Sequence, residues 1–161
     1  MSWINETERF REELTKGYNW QKFVLLFLDL HGIKTEMPEL EFRESIEKIP
    51  TFLNSKDMVA NGHRIEVKSR TIPFTSPNNF PYSTVLLDPP KKSDARKDVF
   101  AYIIVSRCTG AMIWLPMSSK EQWKVERKFD SVRKFWDDFY SVDKKLFKTM
   151  DSLINELRRF A

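Results

Sequence analysis

The sequence predicts an α/β domain: a mixed β-sheet of four to five strands flanked by helices, with a helical extension at the C-terminal end. Three stretches carry that expectation. Trp20, Phe23, Val24, Phe27 and Leu28 recur at helical spacing, Asn61-Gly62 separates two short alternating runs, and Val99 to Ser106 is rich in β-branched and aromatic residues. At 161 residues the chain fits one domain, with a core over residues 18–115 and a helical region over 119–160.

Glu6 to Lys16 reads as a polar helix carrying Phe10 and Leu14 at helical spacing, and Gly17 offers a break. Asn19 would cap a second helix, apolar on most sides and so the buried spine of the fold, which Gly32 would stop. Beyond it, Thr35, Met37 and Pro38 suggest an extended piece, while Phe42 to Lys48 fits a strand and a short helix equally. Asp57 to Ala60 and His63 to Arg70 then form a hairpin, because both positions of a two-residue turn want positive φ, which Asn and Gly adopt.

Thr71 to Lys97 holds Pro73, Pro77, Pro81, Pro89 and Pro90, and reads as loop around a short strand at Thr84 to Leu87. Loops this long in a small domain are usually functional or disordered, and Phe74, Phe80 and Tyr82 argue against disorder. Val99 to Ser106 is a buried strand, and Thr109-Gly110 turns the chain into a partner strand, Ala111 to Leu115. Ser119 with Gln122 resembles a capping box that opens the C-terminal helices, where Trp123, Phe129, Val132, Phe135, Trp136 and Phe139 would pack. Leu146, Met150, Leu153, Ile154, Leu157 and Phe160 make one apolar stripe on the last of them.

Composition removes several classes. One cysteine, Cys108, excludes an intramolecular disulfide framework and a cysteine-rich zinc site, and favours a reducing, cytoplasmic compartment. Trp3 to Lys16 is too charged for a secretory leader, and the longest apolar run, Phe23 to Leu28, is too short to span a bilayer. The net charge of +4 suits a nucleic-acid partner without requiring one.

The hairpin carries the chemistry. A two-residue turn pairs Ala60 with His63, Val59 with Arg64, Met58 with Ile65 and Asp57 with Glu66. Asp57 and Glu66 would then stand opposite each other with Cβ atoms about 5 Å apart, and Lys68 would share their face. Met58, Ala60, Ile65 and Val67 take the other face, which would pack on the helix from Trp20. Two carboxylates directly opposite repel, and a divalent cation removes the conflict. Carboxylate oxygens, waters, substrate phosphate and the Val67 carbonyl suit Mg²⁺, with Mn²⁺ able to substitute. Lys68 would position or deprotonate the attacking water, or stabilise the transition state.

Asp57, eight further residues, then Glu66-Val67-Lys68 on a hairpin after an apolar helix resembles the PD-(D/E)XK nuclease superfamily. Restriction endonucleases, Holliday-junction resolvases and some homing endonucleases share that core. The resemblance implies a restriction-endonuclease-like fold, Asp57 and Glu66 as metal ligands and Lys68 as the catalytic lysine. Lys56 stands where many members have proline. Gln21 stands where many have a glutamate on the first helix, which favours single-metal chemistry or reduced activity.

Around that motif, Arg64, Ser69 and Arg70 are candidate phosphate contacts, Asn78 and Asn79 candidate base contacts, and Lys91, Lys92, Arg96 and Lys97 a basic cluster for the DNA backbone. His63 and His31 read as structural. The expected function is Mg²⁺-dependent hydrolysis of DNA by a homodimer joined through its C-terminal helices, with no membrane partner. The rival expectations are a catalytically idle DNA-binding or interaction protein on the same fold, and a nuclease acting on RNA.

Overall fold

A computed structural model describes residues 3–37, 58–96, 98–131 and 133–160, with side chains described from residue 16 onward. Asp57, Lys97, Val132 and the Phe42 to Lys48 stretch lie outside the described residues.

The first element is one helix, α1 (Trp3–Leu30), not two. Gly17 and Asn19 sit inside it. A glycine costs only about 1 kcal/mol within a helix, so it lowers helix stability without ending the helix. Its end is as expected. Gly32 has φ of 78°, its N–H donates to the Asp29 carbonyl, and the Ile33 N–H donates to the Leu28 carbonyl. This pair of bonds closes the helix, and Leu28 and Ile33 meet in the same core. The helix is not a buried spine. Val24 and Leu28 are fully covered, whereas Phe23, Leu26 and Leu30 are exposed.

Two sheets follow. The larger has six strands rather than four or five: β1 (Thr35–Glu36), β2 (Met58–Ala60), β3 (His63–Arg70), β5 (Val99–Ser106), β6 (Met112–Pro116) and β9 (Lys148–Thr149), side by side in that order. β3 and β5 run parallel and the other neighbours antiparallel, so the sheet is mixed. The smaller sheet orders β4 (Thr84–Leu86), β8 (Phe135–Asp143) and β7 (Lys124–Asp130). Short helices α2 (Pro90–Asp94) and α3 (Met150–Arg158) complete the α/β fold.

β5 shows how the layers are built. Ala101, Ile103 and Val105 enter a core shared with α1 and α3, while Tyr102 and Ile104 enter a second core shared with β4, β8 and the loop around Phe74 and Phe80. A strand covered on both faces has to be apolar throughout. The hairpin register is as expected: Ala60–His63, Val59–Arg64 and Met58–Ile65. Met58, Ala60, Ile65 and Val67 pack with Val24 and Leu28 of α1. The turn is anchored from behind, where the Asn61 side-chain N–H donates to the Leu157 carbonyl at 2.9 Å.

The C-terminal region departs most from expectation. Residues Lys124–Asp143 are a β-hairpin, not helices. Ser119 opens no helix but sits in a 3₁₀ segment, Met117–Gln122, donating to the Pro116 carbonyl and accepting from the Trp123 indole. Trp123 is buried, yet Phe129, Phe135 and Trp136 are exposed. The apolar stripe holds in α3, where Met150, Leu153, Ile154 and Leu157 are buried. Leu146 and Phe160 flank that helix, and Phe160 lies 4.2 Å from the His63 ring. Among the described residues no helix is long and apolar enough to cross a membrane.

Candidate active site

Alternation along β3 separates Ile65 and Val67, which face the α1 core, from Glu66, Lys68 and Arg70. The polar set shares its face with Tyr102 and Ile104 of β5, which are the parallel partners of Glu66 and Lys68. A carboxylate and an ammonium at these positions cannot reach bulk water freely, so the surrounding elements supply their partners.

The Lys68 ammonium lies 2.6 Å from Asp88 Oδ1 and 3.6 Å from Glu66 Oε1. Arg96 pairs with the other oxygen of Glu66. Lys92, four residues beyond Asp88, reaches Asp88 at 3.3 Å. The Tyr102 hydroxyl donates to Asp88 Oδ2 at 3.4 Å and meets the Ser93 hydroxyl at 3.1 Å. Glu66, Asp88 and Arg96 are each no more than 7% exposed. Two carboxylates and three cations thus converge between β3, β5 and α2.

Burial alone would raise the Asp88 pKa, but Lys68 and Lys92, with the Lys68 hydrogen bond and Arg96, outweigh it and hold the carboxyl below its usual range. Burial pushes the Tyr102 hydroxyl far up, so it stays protonated and serves as a donor. Burial also lowers the pKa of Arg70, against the pull of Asp88. Arg70 lines an open cleft of about 420 Å³, whose rim includes Tyr82 and Lys128.

Asp88 was not legible as a site residue. It sits in Asp88-Pro89-Pro90, which reads as a turn, and its one sequence signal is the i,i+4 spacing to Lys92. Arg96 was expected on a basic surface with Lys91 and Lys92 but turns inward to Glu66, while Lys91 is exposed. Arg64 follows the alternation of Glu66, and its guanidinium binds Asp98 at 2.9 Å. Ser69 accepts from Arg107, and Arg70 donates to the Ser69 carbonyl. Asn79 accepts from the Thr75 and Ser76 N–H groups and so closes its own loop, and the Asn78 carbonyl accepts from Lys144. Gln21 is half-buried on α1.

Glu66 and Asp88 are donors of the kind a hard cation takes, but both are already paired, Glu66 with Lys68 and Arg96 and Asp88 with Lys68 and Lys92. Glu66 and Asp88 flank one ammonium, and Mg²⁺ commonly takes only one or two protein carboxylates alongside water and phosphate oxygens. No group of three acidic, histidine or cysteine side chains gathers among the described residues. The excess of cations over carboxylates suits a phosphate group at the same place.

No protein-family model, curated protein or solved structure matches this chain.

Proposed function

We propose that this chain is a Mg²⁺-dependent endonuclease that hydrolyses DNA phosphodiester bonds. The observation that carries the reading is Lys68, held between Glu66 and Asp88 on the polar face of β3 and largely withdrawn from water. The resemblance to PD-(D/E)XK nucleases rests on Asp57 together with Glu66-Val67-Lys68 on a hairpin after a helix; α1 and the Glu66-Val67-Lys68 strand accord with it, and Asp57 lies outside the described residues.

In this reading Asp88 fixes the Lys68 ammonium toward the scissile phosphate, where it offsets charge that develops during attack. Lys92 and Arg96 add positive charge, and Tyr102 keeps Asp88 oriented through its hydroxyl. Glu66, Asp88, Asp57 and the Val67 carbonyl would hold Mg²⁺ or Mn²⁺, which supplies Lewis-acid polarisation of the phosphate. Arg70 and the cleft beyond it extend the basic surface toward the flanking backbone.

The test is cleavage of supercoiled plasmid, linear duplex, four-way junction and duplex RNA, each with and without Mg²⁺. Wild type should cut at least one DNA only with the metal, and Glu66→Gln and Lys68→Ala should not. Preference for a defined duplex site or for the junction separates a restriction-like or homing enzyme from a resolvase. Cutting that persists in both variants overturns the reading.

One observation favours a second reading. Among the described residues every buried side-chain nitrogen and oxygen has a partner, so the cluster is already satisfied as a structural network. A catalytically idle DNA-binding protein on the same fold would bind duplex in that assay and never cut it.

A further inference from the structure

β7 has one neighbour in its sheet, β8, so its other side is an open edge among the described residues. Val125 and Phe129 on β7 are about half exposed, and Trp136, which pairs with Phe129 across the hairpin, is 58% exposed. An open edge with apolar side chains is a template for another strand, and charges decide which strand it accepts.

The charges of β7 are self-complementary. The strand reads Lys124-Val125-Glu126-Arg127-Lys128-Phe129-Asp130. About its centre, Arg127, Lys124 mirrors Asp130, Val125 mirrors Phe129 and Glu126 mirrors Lys128. Two antiparallel copies with Arg127 on the two-fold axis therefore place opposite charges or apolar pairs across from each other at every position but the axis. A slip of two residues one way sets Glu126 against itself and Lys124 against Lys128. A slip the other way sets Lys128 against itself and Glu126 against Asp130. Like charges directly opposite destabilise a sheet, so one register is selected. On the axis each Arg127 keeps Asp138 of its own strand pair within 3.5 Å, which tempers the one like-charge contact.

We propose that β7 pairs with β7 of a second copy of this chain, joining the two small sheets into one of six strands. Glu126 and Lys128, 3.0 Å apart along the strand within one copy, each gain a partner across the new ladder. The pairing does not rest on the nuclease reading, although Glu126 and Lys128 also line the cleft beyond Arg70, and it is tested without any nucleic acid.

Sedimentation velocity over a dilution series measures the dimer. Wild type should show a concentration-dependent dimer. Glu126→Lys, which sets lysine against lysine twice, should weaken it by more than about tenfold in Kd, and adding Lys128→Glu should restore it. The register has its own readout. In a Cys108→Ser background, Arg127→Cys should cross-link into a covalent dimer on mild oxidation, since the two residues are directly opposite, while Lys124→Cys should not. Circular dichroism confirms that each variant is folded. A wild type that stays monomeric at every concentration, a charge swap that restores nothing, or an Arg127→Cys variant that fails to cross-link overturns the proposal.

Discussion

The chain contains two hairpins whose turns are built differently, β2–β3 and β7–β8. In the first, Asn61 and Gly62 take φ of 46° and 83°, so the residue types match the backbone they must adopt. In the second the turn lies between Asp130 and Phe135, and among its described residues Lys134 takes positive φ, at 64°. Nothing in Arg133-Lys134 announces a turn. Meanwhile Phe129, Val132, Phe135, Trp136 and Phe139 recur at spacings that suit a helix. The same stretch also alternates with period two over Lys124 to Asp130, with Glu126 and Lys128 separating Val125, Arg127 and Phe129. Periodicity fitted both structures here. Turn chemistry decided the first hairpin and was silent in the second.

The largest expected effect separates the hairpins by function. Lys68→Ala should lower plasmid nicking about a thousandfold, the scale of losing one transition-state contact in a buried site. Trp136→Ala on the second hairpin should stay within a few-fold. Equal losses in the two variants would mean that both report damage to the fold rather than chemistry on β3.

Next comes the stability of the cluster behind the first hairpin. Asp88→Asn leaves the Lys68 ammonium buried with a weaker set of partners, and should cost about 3 kcal/mol at pH 7 by urea unfolding. The folded carboxyl is held below its unfolded value of about 3.9, so the stabilisation is complete above that pH. It is lost as pH falls through the lower folded value. The gap between wild type and variant should therefore be widest near neutrality and close below about pH 4. A gap that is constant from pH 7 to pH 3 would trace the loss to packing instead of charge.

What could be read in advance follows the same division. β3, β5 and β6 were legible because local signals agreed with burial: Asn61-Gly62 fixed a register, and Val99 to Ser106 is apolar on both faces because both are covered. Glu66 and Lys68 were placed on one face by alternation alone. Their partners were not, because Asp88 reaches Lys68 across 20 positions of chain and Arg96 reaches Glu66 across 30, through a proline-rich crossover with no period. The continuity of α1 through Gly17 was hidden too, since a glycine marks a cost and not a stop. Long-range ion pairs and tertiary override are what a local pattern omits.

Turn chemistry itself can be exchanged. Gly62 has no heavy atom within 4 Å of a built Cβ, so Gly62→Ala should suffer only the backbone penalty of a left-handed residue, about 1–2 kcal/mol. A much larger loss would point to a second role for Gly62, such as close approach of another segment.

The smallest effect is the most informative about the second hairpin. Lys134 is exposed and left-handed, and its N–H donates to the Asp130 carbonyl at 2.7 Å, while the Asp130 carboxylate accepts from the Arg133 N–H and guanidinium, so the Lys134 side chain takes no part in these bonds. Glycine at this position keeps that bond and removes the steric cost of the Cβ, about 1–2 kcal/mol. Against this stands the greater freedom glycine gives the unfolded chain, about 0.5–1 kcal/mol. The difference predicts that Lys134→Gly stabilises the protein by up to about 1.5 kcal/mol, read as a rise in urea midpoint at unchanged slope. It carries the opposite sign to Gly62→Ala, because one hairpin already holds the residue its turn demands and the other does not. A Lys134→Gly variant less stable than wild type would show that the lysine side chain contributes to the turn beyond its backbone.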